Sequence, residues 1–277
     1  SDAFNIKSGL HKVAFNRQEM TSSGKQQFID RSIANERFNL DRSIGLQFSG
    51  KPYDKKIEYY LTMFNGRSTR TGLNASSEFA YTARLVWNVM GNYGYKEGAH
   101  KNSDEWDVTF GLAGAFYHEE PTVGAGTEDK VMMGNADIGF KYKRLSFQSE
   151  VFYRHSDASA AASAVKDFGY YAQLGYFFVP EHFEMAVRMS SLFDDTSNSG
   201  NASIFNNGSL TSLGGNFDGV DEGSDADNEH EFSLVGSYYF SGTPIKLQAQ
   251  YSFMLDGVAG TDDIVNHIGM IQAQIEI

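Results

Sequence analysis

Residues 245 to 255, Ile245-Lys246-Leu247-Gln248-Ala249-Gln250-Tyr251-Ser252-Phe253-Met254-Leu255, alternate strictly. The odd positions are apolar. The even positions are mostly polar, with Met254 the exception. A period of two is the mark of a strand whose faces meet different media. Such a strand fits either a soluble sandwich or a barrel in lipid with a wet interior. The same period recurs along the chain in segments of ten to fifteen residues. Phe79, Tyr81, Ala83, Leu85 and Trp87 share one face; Trp106, Val108, Phe110, Leu112, Gly114 and Phe116 share another. Phe168 to Phe178, Phe183 to Met189 and Phe232 to Phe240 continue the pattern in steps of two. Charges gather on the opposite faces: Arg84, Asp107, Asp137, Lys141, Glu150, Glu184 and Arg188.

Twelve strands are expected, near 4–14, 41–50, 56–65, 76–89, 105–118, 129–143, 145–155, 167–179, 182–193, 229–241, 243–256 and 263–277. Their connections alternate in length. Lys143-Arg144, Val179-Pro180-Glu181-His182 and Ser241-Gly242-Thr243 are tight, whereas 119–128, 156–166 and 194–228 are long and rich in small polar residues. Short periplasmic turns and long external loops are the habit of bacterial outer-membrane barrels. The stretch 90–104 is long where this phase asks for a short turn. Trp87, Trp106, Tyr142, Phe178, Phe183 and Phe240 fall at the strand ends facing the short turns, where a girdle of rings would meet headgroups. A soluble sandwich rarely combines such long strands with so regular a loop alternation. The fold class is therefore all-β, a transmembrane antiparallel up-and-down barrel forming one domain over residues 1–277.

Composition agrees. The 277 residues include 22 Phe, 15 Tyr and 28 Gly but only 4 Pro and no Cys. Mean hydropathy is -0.40, and no apolar run is long enough for a transmembrane helix. Ser1-Asp2-Ala3-Phe4 reads as a mature or trimmed start. A net charge of -12 argues against nucleic acid as a partner.

Several short phrases resemble one family. Gly9-Leu10-His11-Lys12-Val13-Ala14-Phe15, Phe28-Ile29-Asp30-Arg31-Ser32 and Asp41-Arg42-Ser43-Ile44-Gly45-Leu46 are similar to the phosphate-selective porin O and P family, as are Phe64-Asn65-Gly66, Ala83-Arg84-Leu85 and Glu184-Met185-Ala186-Val187-Arg188. The resemblance implies a trimeric outer-membrane porin passing small anions or small polar solutes, with lipid and lipopolysaccharide as its surroundings. It implies sixteen strands, so that either the N-terminal part is missing here or the barrel has twelve. It also implies that a loop folds inward to narrow the pore, for which 16–40 is the natural segment. Two features depart from the family: Ile277 stands where an aromatic residue is usual, and the chain is acidic overall.

A porin works through a constriction whose charges bias which ions enter. The basic residues expected to line it are Lys12, Arg17, Arg31, Arg37 and Arg42 near the first long loop, with Arg84 and Arg188 on inward strand faces. Arginine suits oxyanions because its donor fork matches their geometry. Glu19, Asp30, Glu36 and Asp41 interleave with these cations, so a solvated loop with local ion pairs is the competing reading. The loop 194–229 holds eight carboxylates and no Lys or Arg. Ca²⁺ could gather there, but no EF-hand spacing is present, and a solvated external loop is the expectation. No metal or cofactor is expected. The seven His are scattered without paired-ligand spacing, and Ser190 and His155, placed on inward faces or rims, have nothing that pairs them for catalysis. Three readings stand: an anion-passing porin, a cation-preferring or unselective porin, and a non-conducting surface barrel.

Overall fold

The computed structural model describes residues 2–65, 78–119, 129–157, 165–194, 228–240, 245–257 and 264–275. Twelve strands follow one another: β1 (Asn5–Lys12), β2 (Arg42–Gly50), β3 (Ile57–Phe64), β4 (Ala80–Met90), β5 (Ser103–Glu119), β6 (Asp129–Lys143), β7 (Leu145–Asp157), β8 (Val165–Val179), β9 (Phe183–Asp194), β10 (Asn228–Tyr239), β11 (Ile245–Gly257) and β12 (Ile264–Ile275). They form a single up-and-down sheet in chain order, and every neighbouring pair is antiparallel. β1 and β12 are the two edges, and the sheet is open between them. No helix among the described residues is long and apolar enough to cross a membrane.

The two faces differ as the alternation requires. Leu85, Trp87, Leu112, Val187, Leu247 and Tyr251 lie on the outer face, each more than two-fifths exposed. Their inward neighbours Arg84, Arg188, Gln248 and Gln250 are buried. In water such an outer surface would be a severe liability; in hydrocarbon it is the solvated state. Trp106 stacks on Tyr142 with ring centroids 4.5 Å apart, and Phe178 lies 6.3 Å from Phe183, at the strand ends next to the short turns. Replacing Leu247 by Arg should cost about 2–4 kcal/mol near the midplane, while Leu247→Phe, which keeps the outer face apolar, should cost little. Urea titration of protein folded into lipid vesicles checks this, and equal losses for the two variants would contradict the facing.

The tight turns bend through left-handed residues. Lys143 has φ 51° between β6 and β7, Glu181 has φ 63° between β8 and β9, and Tyr53, Asp54 and Lys55 do the same between β2 and β3. The 194–229 loop falls almost wholly outside the described residues, as does the turn at 241–244.

One face of the sheet carries a second layer. The 13–41 connection holds two short helices, α1 (Arg17–Met20) and α2 (Ile33–Phe38), and a 3-10 turn at Ser23–Lys25. It packs on the inward side chains of β4 to β11. Val13, Phe15, Ala34, Phe38 and Leu40 bury themselves among Phe64, Ala113, Ala115, Tyr117, Val131, Met133, Phe152, Tyr171 and Leu192. The ring of Phe38 stacks on Phe152 at 5.2 Å, and the bare backbone of Gly169 admits it: a Cβ there would come within 2.6 Å of the Phe38 ring. On β4 to β6 the inward face is thus apolar towards the long-loop ends and polar below, whereas β7, β8 and β10 carry the buried charges Arg154, Asp167 and Glu231 towards those ends.

Candidate functional site

Polar groups on the wall hold the 13–41 segment at its free backbone ends. The one-turn helix α1 would leave its first amides without partners. Glu150, on β7, accepts from both Arg17 N (2.8 Å) and Gln18 N (2.6 Å). α2 is capped by Ser32, whose hydroxyl accepts from Asn35 N. Its next free amide, Ala34 N, donates to Ser190 Oγ on β9 at 3.2 Å. Further along, Gln27 Nε2 donates to Glu184 Oε1 (2.6 Å) and Ser146 Oγ (2.8 Å), while Gln248 Nε2 donates to the Gln27 carbonyl (2.7 Å).

The basic residues divide into two sets. Arg17 and Arg84 share Asp137, with Arg17 Nε 2.6 Å from one carboxylate oxygen and Arg84 Nη2 2.5 Å from the other. All three are buried. Burial lowers the Arg17 pKa, but the Asp137 carboxylate together with Tyr95 and Tyr93 more than offsets it and holds that pKa above its ordinary value. Arg84 also donates to Phe15 O, and Arg17 Nη1 reaches Gly94 O. Arg188 pairs with Glu231 at 2.7 Å, donates to the carbonyls of Asp30 and Arg31, and lies over the Phe28 ring at 4.3 Å. Arg37 reaches Asp167, which Arg154 also contacts. In this set the cations join the segment to the wall.

Lys12, Arg31 and Arg42 form the other set. Glu19 bridges the first two: Lys12 Nζ is 3.3 Å from Oε1, and Arg31 Nε is 3.1 Å from Oε2. The side chains of Lys12 and Arg31 keep 23% and 19% of their exposure, against 6% for Glu19. Arg42 stands directly across the β1–β2 ladder from Lys12, and it and Arg31 both lie close enough to repel the Lys12 ammonium. Glu36 borders the same group. Burial pushes its carboxyl above the ordinary range, Glu19 and Asp30 reinforce the shift, and Arg31 opposes it. Protonation of Glu36 therefore begins at a higher pH than for a free glutamate, and each proton bound makes the group more positive.

The long connection between β4 and β5 explains its own length. Instead of turning tightly, it folds inward from the short-turn end and meets the segment. Glu97 N donates to Lys25 O, Gln27 N donates to Glu97 Oε2, and Lys141 Nζ donates to Tyr93 O and Lys96 O. The Lys141 ammonium also sits over the Tyr93 ring. His100 packs edge-on between Phe177 and Tyr239, and burial pushes its imidazole down to about 3, so it stays neutral at any working pH. Sequence reasoning did not place Tyr93, Lys96, Glu97 and His100 of this connection inside. Its one usable signal was the surplus length of 90–104. It also missed Asp137, Glu150, Glu184 and Glu231 as the wall's acceptors, though each sits on the correct inward parity. His155 is a correction: it lies with the outward set of β7 and pairs with Asp157, while Ser190 is buried against Ala34.

The family model described as phosphate-selective porin O and P matches residues 1–252. No curated protein sequence matches the chain. Among solved structures, the outer membrane channel DcaP of Acinetobacter baumannii superposes with a TM-score of 0.59 at 12% identity, covering 97% of this chain and 70% of that one. OmpT, an outer membrane protein of Vibrio cholerae, superposes in its in-vitro folded form with a TM-score of 0.53 at 9% identity, covering 97% and 74%. At such identities these likenesses speak for the fold alone.

Proposed function

This chain belongs to the phosphate-selective porin O and P family of bacterial outer-membrane porins, and from that premise we propose that its channel passes small anions past Lys12, Arg31 and Arg42. It is a channel protein of the outer membrane; that it carries no catalytic activity besides is part of the proposal. The 13–41 segment acts as the constricting element, and the long acidic loop at 194–229 faces the cell exterior. Assembly as a homotrimer belongs to the same reading.

One observation carries the choice of solute. Arg17, Arg84 and Arg188 are buried against carboxylates of the wall and Arg37 reaches Asp167 only at 4.0 Å, whereas Lys12 and Arg31 share one carboxylate and remain partly open to solvent. A cationic group between low-dielectric walls sets the local field, while carboxylates at the mouth are screened beyond roughly 8 Å at physiological salt. The cation-preferring reading rests on the net charge of -12.

A reversal potential across a planar bilayer under a KCl gradient separates the two. The native channel should favour chloride, and Lys12→Gln with Arg31→Gln should move the potential towards potassium. Preference for potassium in the native channel would overturn the anion reading. No conductance in any preparation that is correctly folded would favour the non-conducting barrel.

A further inference from the structure

We propose that Glu19 is a specificity-determining residue: its carboxylate holds the place between Lys12 and Arg31 that a passing oxyanion takes, and yields it in transit. The inference rests on the anion reading and adds to it a built-in competitor.

The geometry is that of an occupied oxyanion site. Each oxygen of the Glu19 carboxylate faces one cation, at 3.3 Å and 3.1 Å. A carboxylate, phosphate or sulfate presents two oxygens side by side in the same way. The cations are also fixed without Glu19. Lys12 Nζ donates to the backbone carbonyls of Glu19 (2.6 Å) and Thr21 (3.3 Å), and Arg31 donates to those of Gln18 and Thr21, each at 3.3 Å. Those carbonyls belong to a turn whose amides are locked on Glu150. When the Glu19 side chain swings away, the two donors stay in place.

The partial exposure of Lys12 and Arg31 gives a solute a way in, and the buried carboxylate limits how tightly it is held. A channel conducts only if binding is strong enough to admit an ion and weak enough to release it. Two cations and a nearby Arg42, with only the more distant Glu36 and Asp30 to balance them, would hold an oxyanion more tightly. With Glu19 in place, an arriving oxyanion exchanges for a carboxylate already there, and the net gain is small.

The test is block of chloride current through the native porin and Glu19→Gln by inorganic phosphate. Glutamine keeps the size and removes the charge. The half-blocking phosphate concentration should fall about tenfold in Glu19→Gln, the equivalent of one charge-assisted hydrogen bond gained by the solute. Glu19→Asp, which keeps the charge, should stay near the native value, and Lys12→Gln with Glu19→Gln should return towards it. Unchanged phosphate block in Glu19→Gln, in a native channel that prefers chloride, would overturn the inference alone. If Glu19→Gln does not fold, block in Glu19→Asp decides: a tenfold tightening there, with the charge still present, would overturn it too. Native preference for potassium would instead defeat the anion reading.

Discussion

Asp137→Ala should destabilise the folded barrel by about 3–5 kcal/mol, the usual cost of leaving buried cations without their partner. Asp137 is the shared acceptor of Arg17 and Arg84, and all three side chains are buried. Removing it leaves two guanidinium groups facing each other in a region with little water to take over. The space is also tight: a Cβ on Gly111 would lie 2.0 Å from the Asp137 carboxylate and 2.7 Å from Arg84 Nη2. Urea unfolding in lipid vesicles reads the loss. Asp137→Asn, which keeps an acceptor, should lose less. Removing all three charges together, with Met at 17 and 84 and Leu at 137, should recover much of the loss, because an ion pair replaced by apolar groups of similar volume is often neutral. A native-like midpoint for Asp137→Ala would show that the triad does not hold the segment.

Phe38→Ala should cost about 3–5 kcal/mol, the transfer free energy of the ring plus the cavity left behind. The ring is wholly buried, lies flat on Phe152 and fills the space above Gly169. The loss falls on attachment of the segment, since Phe38 belongs to no strand. Trypsin should therefore cut first within 13–41, at Lys25, Arg31 or Arg37, while the twelve strands stay protected. Cleavage within the strands at the same rate would mean that the barrel and the segment unfold as one unit. The same substitution on the outer face, Leu85→Ala, creates no such cavity, because lipid closes over the site.

The strands were legible because a period of two is enforced wherever one face meets lipid and the other does not. Trp87 against Asn88, or Leu247 against Gln248, can be sorted by eye. The segment's attachment was not legible, for two physical reasons. Its ion pairs join residues more than a hundred positions apart, such as Arg17 with Asp137, and a single sequence carries no trace of which acid meets which base. Its apolar anchors Phe15, Phe38 and Leu40 lie in a stretch of mixed charge that reads equally well as solvated. A hint did exist. β5 runs apolar on both faces from Phe110 to Tyr117, and inward Val131, Met133 and Phe152 follow on its neighbours. An inward face that meets only water has no reason to be apolar, so those residues called for a covering layer. Lys12, Arg17, Arg31, Arg37, Arg42, Arg84 and Arg188 were read as one basic set. Only distances separate the anchors from the partly open cluster.

The central claim is that a segment locked on the inner wall narrows a conducting porin without having to move. The chain has no cysteine, so Ala34→Cys with Ser190→Cys can be tested in an otherwise native background. Ala34 N and Ser190 Oγ are 3.2 Å apart. Single-channel conductance of this variant, before and after oxidation, is the direct measurement. The cross-link should form in high yield, and the conductance and its sign of selectivity should be unchanged by it. Failure to form the bond, or loss of current when it forms, would contradict the account.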